Sequence, residues 1–395
     1  MTAALLTVNA GSSSLKFALF PARGDRALAT GLADRIGPEG VLRLKGADGQ
    51  PLAAAPGDLT GHAGAIRAVI DSLRTEYPDL TLLSVGHRVV HGGAAHAAPV
   101  AITEPVLADL EALAPFAPLH QPHNLTGIVA ATAAFPGVPQ VACFDTAFHR
   151  NQPWVNEAFA LPRALYAAGV RRYGFHGLSY AHIAGVLPKV APTLARGRVV
   201  VAHLGNGASM CAIEDGRSVA SSMGFSALDG LPMGTRCGQI DPGVLLYLMD
   251  QRGMTPQQIS DLLYKQSGLL GLSGLSNDMR TLEASDAPEA AQAIGYFVAR
   301  CQRELGSLAA AMGGIDGIVF TGGIGENSRH VRAQVCARLG WMGVELDPAR
   351  NAANDTVIST EGARTTVLVI PANEELVIAR AARAAVGLAE HEEAA

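Results

Sequence analysis

Near the start of the chain, a run of small and polar residues between two apolar segments has the composition of a phosphate-binding turn. Residues 5–8 predict a buried strand and residues 17–20 predict a second strand. Residues 9–14 between them contain a glycine and three serines, whose backbone N–H groups and hydroxyls suit a phosphate. Lys16 adds a flexible positive charge, and Asn9 is placed to contact a metal ion or its water. An ordinary hairpin with a solvated serine turn has the same composition, and the Walker A pattern is absent.

The bulk composition limits the class of protein. A chain of 395 residues predicts two domains, and 49% hydrophobic with 16% charged residues predicts a compact globular protein. A net charge of −5 without a basic run argues against nucleic acid as a partner. Five scattered cysteines without a C-x-x-C pair, and no secretion signal, favour the cytoplasm. The uncharged residues 127–144 are interrupted by Pro136 and Pro139, so a helix, a turn and a strand describe them better than a membrane span.

Hydrophobic periodicity predicts that the chain contains two similar α/β halves. The predicted elements of the first half are a further antiparallel strand region (31–52), a helix (66–73), a strand (82–85), a helix (107–113), a proline loop (115–122) and a strand (141–144). After a junction (150–178), those of the second half are two hairpin strands (198–203, 210–213), a long helix (294–308), a strand (315–321), a loop (322–327), a strand (367–370) and a helix capped by Asn373 that runs towards Leu388. We therefore expect an α/β fold, duplicated, with a cleft between the halves and ligands at the carboxyl ends of strands.

Nine short blocks, taken in order, resemble the acetate kinase family, also called the acetokinase family. They are residues 9–16, 87–93, 144–149, 172–177, 203–207, 233–238, 276–280, 320–327 and 373–375. The resemblance implies the sugar-kinase, heat-shock ATPase and actin fold. It also implies Mg²⁺-dependent, reversible transfer of the ATP γ-phosphoryl group to acetate, giving acetyl phosphate and ADP, with Mn²⁺ as an alternative metal. A cytoplasmic homodimer without nucleic-acid or membrane partners is expected.

The resemblance also assigns roles to residues. It marks Asp145, His176 and Arg236 as catalytic, and it marks Asn9 and Glu374 as metal ligands. The acid-binding positions are Arg88, Val90, Leu119, Phe175 and Ala227, the last where the family often has proline. The ATP-binding positions are Lys16, His203, Leu204, Gly205, Asn206, Gly207, Asp278, Met279, Arg280, Gly322, Gly323, Ile324, Gly325 and Glu326. The expected domains are an acid-binding domain (1–149, completed by a helix at about 376–395) and a nucleotide-binding domain (150–375).

Each assignment has a purely structural alternative. A lone histidine such as His176 is more often a hydrogen-bonded core residue, and Glu374 would stabilise a helix from its first turn in any case. Carboxylic acids have a pKa near ~4, so acetate carries no proton for a base at neutral pH. We therefore expect Asp145 to orient magnesium waters and the phosphoryl group rather than to act as a base.

Three other functions remain open at this level. A propionate or butyrate kinase would use the same machinery. A chaperone or filament-forming ATPase of this fold would need an extra peptide-binding domain or polymer interface, and no such segment is visible. A phosphatase of the fold would not need two arginines and an apolar pocket.

Overall fold

The structure is a computed structural model that describes residues 2–11, 13–55, 57–118 and 120–388. Contacts between residues divide the chain into two compact units. Unit 1 comprises Met1–Phe148 together with Asn373–Ala395, and unit 2 comprises His149–Ala372. Within the described residues, no helix combines the length and the apolar character that a membrane span requires.

Unit 1 is built on an eight-stranded sheet in the order β5-β4-β3-β2-β1-β6-β8-β7. The strands are β1 (Thr2–Ala10), β2 (Ser14–Pro21), β3 (Ala29–Asp34), β4 (Val41–Gly46), β5 (Pro51–Leu52), β6 (Leu80–Val89), β7 (Val100–Ala101) and β8 (Gln140–Phe144). β1 to β5 form an antiparallel meander, whereas β6 runs parallel to β1 and β8 runs parallel to β6. The antiparallel pairing of Asn9 with Lys16 confirms the hairpin predicted at the start of the chain.

Helices of unit 1 connect the strands in the order expected from periodicity. They are α1 (His62–Glu76), α2 (Glu104–Ala112) and α3 (Gln121–Ala134), with a 3₁₀ turn at Ala114–Phe116; a second 3₁₀ turn, Ala147–His149, ends at the first residue of unit 2. The predicted helix at 66–73 is confirmed inside α1, where the apolar residues of that stretch are buried.

Unit 2 contains a five-stranded sheet in the order β11-β10-β9-β12-β13. Its strands are β9 (Arg198–Leu204), β10 (Ala208–Glu214), β11 (Arg217–Ser221), β12 (Gly317–Thr321) and β13 (Thr366–Val369). Its helices are α4 (Trp154–Glu157), α5 (Arg163–Ala167), α6 (Gly177–Val190), α7 (Pro242–Asp250), α8 (Pro256–Lys265), α9 (Gly268–Ser273), α10 (Met279–Glu283), α11 (Pro288–Ala311), α12 (Gly322–Asn327), α13 (Arg329–Cys336) and α14 (Pro348–Ala353), with a 3₁₀ turn at Gly340–Met342. The long helix predicted at 294–308 is confirmed as part of α11.

The final helix, α15 (Glu374–Ala385), returns to unit 1 and covers one face of its sheet. Leu376 and Ala379 of α15 pack with Ala18 and Phe20 of β2. The opposite face, which includes Phe17, packs with the buried side of α1. Because helices cover both faces, the central strands are apolar nearly throughout rather than alternating.

The two sheets share one topology, which confirms the predicted duplication. In unit 1 the order β3-β2-β1-β6-β8 contains two antiparallel pairs followed by two parallel pairs. In unit 2 the order β11-β10-β9-β12-β13 contains the same sequence of pairs.

Two predicted loops are wrong in part. Residues 322–327 form α12, because Gly322 adopts a φ of +77° where β12 passes into the helix, and the Glu326 carboxylate accepts the Gly322 N–H at 2.9 Å. Pro115 and Pro122 lie in first helical turns, where a missing N–H costs nothing, so they begin helical segments, whereas Pro118 lies in the turn between these segments. α15 ends at Ala385, before the predicted Leu388, and the tail at 390–393 lies outside the described residues.

Candidate active site

In unit 1, an arginine and an aspartate meet at the carboxyl ends of two neighbouring parallel strands. Arg88 lies near the end of β6, and Asp145 directly follows β8. Arg88 Nη2 lies 2.6 Å from Asp145 Oδ2, and Arg88 Nε lies 3.1 and 3.2 Å from the two carboxylate oxygens. This fork-to-carboxylate geometry fixes the plane of the guanidinium. Burial acts to lower the pKa of Arg88, but the charges of Asp145 and Glu374 outweigh it and raise that pKa, so Arg88 remains a cation.

The two predicted metal ligands both lie close to the Arg88 guanidinium. Arg88 Nη1 donates to Asn9 Oδ1 at 3.4 Å, and Arg88 Nε is 3.8 Å from Glu374 Oε2. Glu374 is the first residue of α15, which Asn373 caps by accepting the Leu376 N–H, so that part of the prediction is confirmed. The structure therefore brings Asn9, Arg88, Asp145 and Glu374 together within unit 1.

Two of these side chains carry oxygen donors of the kind that Mg²⁺ prefers. Among the described residues, no group of three or more His, Cys, Asp or Glu side chains is arranged to hold a metal. Mg²⁺ keeps several waters and is commonly held by one or two protein oxygen ligands. The amide oxygen of Asn9 and the carboxylate of Glu374, both close to Arg88, form a set that fits such an ion.

The other residues of unit 1 with a predicted role in binding ATP or the acid are Lys16, Val90 and Leu119. Lys16 forms an ion pair with Glu375 at 2.6 Å, and 59% of its side chain is exposed. Val90 is buried, and its N–H donates to Asn124 Oδ1 at 2.9 Å. Asn124 also donates to the Ala10 carbonyl at 2.6 Å, so it ties the end of β1 to Val90. Leu119 lies outside the described residues.

In unit 2, two histidine rings stack on each other, and each ring forms a hydrogen bond with a serine. The His176 and His203 rings are stacked, with centroids 4.3 Å apart and planes inclined by 28°. His176 Nδ1 lies 2.8 Å from Ser209 Oγ, and His203 Nδ1 lies 2.8 Å from Ser179 Oγ. Ser209 also bonds the hydroxyl of Tyr180, whose pKa burial raises well above its ordinary value. A phenol that keeps its proton can donate to Ser209, and Ser209 can then donate to His176 Nδ1, which leaves the proton of His176 on Nε2.

Arg236 and His176 approach the backbone of the same glycine. A Cβ atom at Gly207 would lie 3.2 Å from Arg236 Nη2 and 3.3 Å from His176 Nε2. Arg236 is held by a bond from Nη1 to the Ala227 carbonyl at 2.7 Å, and Phe175, the neighbour of His176, is buried. Two donors therefore converge on Gly207, where an anionic group could accept from both.

Three predicted nucleotide segments line one cavity of about 670 Å³ in unit 2. This volume lies in the range of small-molecule sites. The lining comes from the β9–β10 turn, from α10 with the two residues before it, and from α12 with the residue after it: Gly205, Asn206, Asn277, Asp278, Met279, Arg280, Glu283, Gly323, Ile324, Asn327 and Ser328. Sequence reasoning had not assigned Asn277, Glu283, Asn327 or Ser328 to a site, although Asn277 and Asn327 lie inside the quoted blocks.

Other predicted nucleotide residues have mainly structural contacts. A Cβ at Gly322 would lie 2.8 Å from the Leu204 carbonyl, so this glycine allows α12 to approach β9 closely. The Glu326 carboxylate accepts the N–H groups of Gly322 and Ala372. The Asp278 carboxylate caps α10 and pairs with Arg280, and these hydrogen bonds lower the pKa of Asp278 to about 2.

A buried arginine that sequence reasoning missed holds the end of α12. Arg332 is 1% exposed and donates to the carbonyls of Gly325 and Glu326 at 2.9 and 2.8 Å. It also bonds the side-chain and backbone oxygens of Asn351. No motif marks Arg332, because its partners are carbonyl groups whose positions depend on the tertiary fold.

A repeated five-strand order, with polar turns at the carboxyl ends of the parallel strands, defines the sugar-kinase, heat-shock ATPase and actin class of fold. Within this class, the chain belongs to the acetokinase family, which residues 4–380 match.

Individual relatives agree with the family over the whole chain. The chain is 57% identical over 392 residues to an acetate kinase of Methylocella silvestris, covering 96% of this chain and 97% of that protein. Its structure is similar to the crystal structure of Porphyromonas gingivalis acetate kinase, with a TM-score of 0.87, 37% identity and coverage of 97% and 99% of the two chains. It is also similar to a propionate kinase from Francisella tularensis, with a TM-score of 0.90, 35% identity and the same coverage.

Proposed function

We propose that this protein catalyses the acetate kinase reaction, the reversible transfer of the γ-phosphoryl group of ATP to acetate, giving acetyl phosphate and ADP. The observation that carries the proposal is the 57% identity with a protein named acetate kinase across nearly the full length of both chains. The site geometry agrees, since it offers a nucleotide-sized cavity in unit 2 and a fixed guanidinium in unit 1.

In this proposal, unit 2 binds the nucleotide and unit 1 binds the acid. The 670 Å³ cavity takes ATP, and the exposed Arg280 lies along the adenosine at its rim. Arg88 offers its Nη1–Nη2 edge to the acetate carboxylate, while Asp145 binds the Nε–Nη2 edge and holds the guanidinium in one orientation. Within unit 1, the buried Val90 is the residue that we assign to the methyl group of acetate.

His176 and Arg236 stabilise the phosphoryl group during transfer. Phosphoryl transfer depends mainly on positioning and on stabilising charge, so donors with fixed directions are the main requirement. His176 Nε2–H donates to a phosphoryl oxygen, because its Nδ1 is bound by Ser209. Arg236 supplies a second donor from the same side of Gly207.

Asn9 and Glu374 are the groups that would hold Mg²⁺, or Mn²⁺ in its place. When bound, such an ion neutralises charge on the phosphate oxygens. The contribution of the chain is to keep both oxygen ligands close to Arg88 and Asp145, so that acid and metal are held by one connected group.

We also propose a cytoplasmic homodimer. The five cysteines are free thiols, as expected in a reducing compartment. α7 is mostly apolar and none of its residues is buried: Val244, Leu246 and Tyr247 are 39%, 59% and 52% exposed. An exposed apolar helix of this kind is typical of a subunit interface. Sedimentation should show a dimer that Leu246→Glu weakens and that Ala291→Glu, on an exposed position of α11, leaves intact.

One assay tests the reaction and its closest alternative together. Purified protein with ATP and Mg²⁺ is given acetate, propionate or butyrate, and acyl phosphate is trapped with hydroxylamine. We expect the highest kcat/KM with acetate. The similarity to a propionate kinase makes propionate the second candidate, and a higher kcat/KM with propionate would replace our assignment. ATP hydrolysis without any acyl phosphate would indicate a non-kinase ATPase.

A further inference from the structure

We propose that His149 is a positioning residue for His176, acting through the carbonyl group of Phe175. This inference rests on the proposed role of His176 in phosphoryl transfer. His149 Nε2 lies 3.0 Å from the Phe175 oxygen, and the histidine is 1% exposed. Because a carbonyl only accepts, Nε2 must carry the proton.

The other ring nitrogen fixes the same tautomer. His149 Nδ1 lies 2.8 Å from Ser218 Oγ and 3.4 Å from the side-chain nitrogen of Gln152. With the proton on Nε2, Nδ1 accepts from the Ser218 hydroxyl, and Gln152 in turn donates to Ser218 Oγ at 2.7 Å. Burial lowers the pKa of His149 to about 4, so the ring is neutral at pH 7 and can donate from Nε2 while it accepts at Nδ1.

The segment that His149 holds has a backbone conformation that needs support. His176 has a φ of +56° and a ψ of +23°, in the left-handed region. For a residue with a side chain this conformation costs roughly 1–2 kcal/mol, and it persists only where the surroundings impose it. Phe175, whose carbonyl accepts from His149, directly precedes this residue.

The ring of His149 also packs against the backbone just before Phe175. Gly174 has a φ of +69°, and a Cβ atom there would lie 2.6 Å from two carbon atoms of the His149 ring. Two consecutive features of residues 174–176, the close packing of Gly174 and the bond to the Phe175 carbonyl, therefore depend on one side chain. The direction in which His176 Nε2 points depends on this arrangement.

A matched pair of substitutions separates the donor at Nε2 from the rest of the ring. His149→Gln places an amide nitrogen where Nε2 was, so it can still donate to the Phe175 carbonyl. His149→Asn reaches only the position of Nδ1, so it can meet Ser218 but not Phe175. Ser218→Ala removes the partner of Nδ1 and leaves the Nε2 contact in place.

We expect His149→Asn to lower kcat roughly 10- to 100-fold, the effect of misplacing a reacting group by about 1 Å. The KM for ATP should change less than twofold. His149→Gln should restore most of the lost kcat, and Ser218→Ala should be close to wild type. Equal losses in the Gln and Asn variants, or losses that follow the thermal stability of the variants, would overturn the proposal.

Histidine NMR provides a readout that does not depend on activity. In protein labelled with ¹⁵N-histidine, the His176 nitrogen signals should shift in His149→Asn and stay near the wild-type values in His149→Gln. Unchanged His176 signals in His149→Asn would contradict the positioning role. A wild-type protein that forms no acyl phosphate would refute the proposed function, whereas the NMR comparison would still test the contact itself.

Discussion

Matching strands of the two units end beside very different residues. In unit 1, β6 carries Arg88 near its carboxyl end, Asp145 directly follows β8, and Asn9 lies at the end of β1. In unit 2, the equivalent strands β9 and β12 are followed by Gly205 and Gly322. The shared topology thus determines where ligand-facing positions lie, and the residue type at each position determines the chemistry. Charged side chains are concentrated at the strand ends of unit 1, whereas glycines that allow a close approach of the backbone lie at the strand ends of unit 2.

Unit 2 takes its charged and titratable groups from elsewhere in the chain. His176 precedes α6, and Arg236 lies in the connection between β11 and α7. Both reach Gly207 from outside the strand ends. A duplicated fold can therefore specialise by two routes: substitution at the strand ends in one copy, and contributions from connecting segments in the other.

The largest effect is expected from Arg236→Ala in unit 2. Loss of a guanidinium that stabilises the transferring phosphoryl group should lower kcat about 10³-fold or more, by analogy with arginine fingers. Arg236→Lys should recover little, because the planar fork is lost. Steady-state kinetics measures both variants, with Arg303→Ala on the exposed side of α11 as the control. Near-normal kcat in Arg236→Ala would remove Arg236 from the site.

Asp145→Asn tests the charged cluster of unit 1. The substitution keeps the shape of the side chain but removes the charge that Arg88 contacts, so kcat should fall roughly 10²-fold, in line with loss of a charged hydrogen bond. The KM for acetate should rise as well, because Arg88 is no longer held. Kinetics at several Mg²⁺ concentrations should show partial recovery at high Mg²⁺. Asp71→Asn, at an exposed position of α1, is the control, and a defect that Mg²⁺ does not change would argue against the metal-orienting role.

Each unit contains a buried histidine that should make the stability of the protein depend on pH. Burial lowers the pKa of His87 in unit 1 and of His149 in unit 2 to about 4, against an ordinary value of 6.5. The unfolded chain therefore binds more protons than the folded protein between these values, and stability falls as the pH falls. We expect a loss of about 2 kcal/mol per histidine between pH 7 and pH 5.

Urea denaturation of wild type and of His87→Gln, compared at pH 7 and pH 5, measures the contribution of one of these histidines. Glutamine can still bond Gln140 but takes up no proton, so its stability should depend less on pH. An equally steep dependence in the variant would show that His87 is not kept neutral by the fold.

The smallest effect is expected from Val90→Ala. If the β-branched side chain of Val90 limits the length of the acid, propionate should be a poorer substrate than acetate, since one methylene is worth about 1–3 kcal/mol. The variant should raise the kcat/KM for propionate relative to acetate, roughly tenfold. Val129→Ala, at an exposed position of α3, should leave this ratio unchanged. A ratio that does not move in Val90→Ala would exclude Val90 from the acid pocket.

Local patterns were sufficient to predict much of the fold. The hairpin of β1 and β2, the helical stripe within α11 and the Asn373 cap follow from periodicity and short-range chemistry, and the structure confirms them. The α12 helix was missed because its glycine-rich sequence is typical of a loop, and the contact between Glu326 and Gly322 that begins it depends on side-chain geometry.

The nine sequence blocks identified residues of the candidate site, but they did not identify the residues that those side chains contact. The contact between Asp145 and Arg88 spans 57 positions of sequence, and Asn124 reaches Ala10 across 114 positions. Neither contact has a sequence signature, because each depends on which strands become neighbours. His149 was inside a quoted block, yet its bond to Phe175 becomes apparent only when residues 149 and 175 are seen together.

Unit 1 is formed by two stretches of the chain that are separated by all of unit 2, and this has a consequence for protein synthesis. α15 packs on β2, but some 350 residues separate them, so the ribosome makes all of unit 2 before one face of the first sheet can be covered. During that time Lys16 lacks Glu375, and Arg88 lacks Glu374. We expect the nascent first unit to remain open to chaperones until its last helix emerges, and the capacity for catalysis to arise only at that moment.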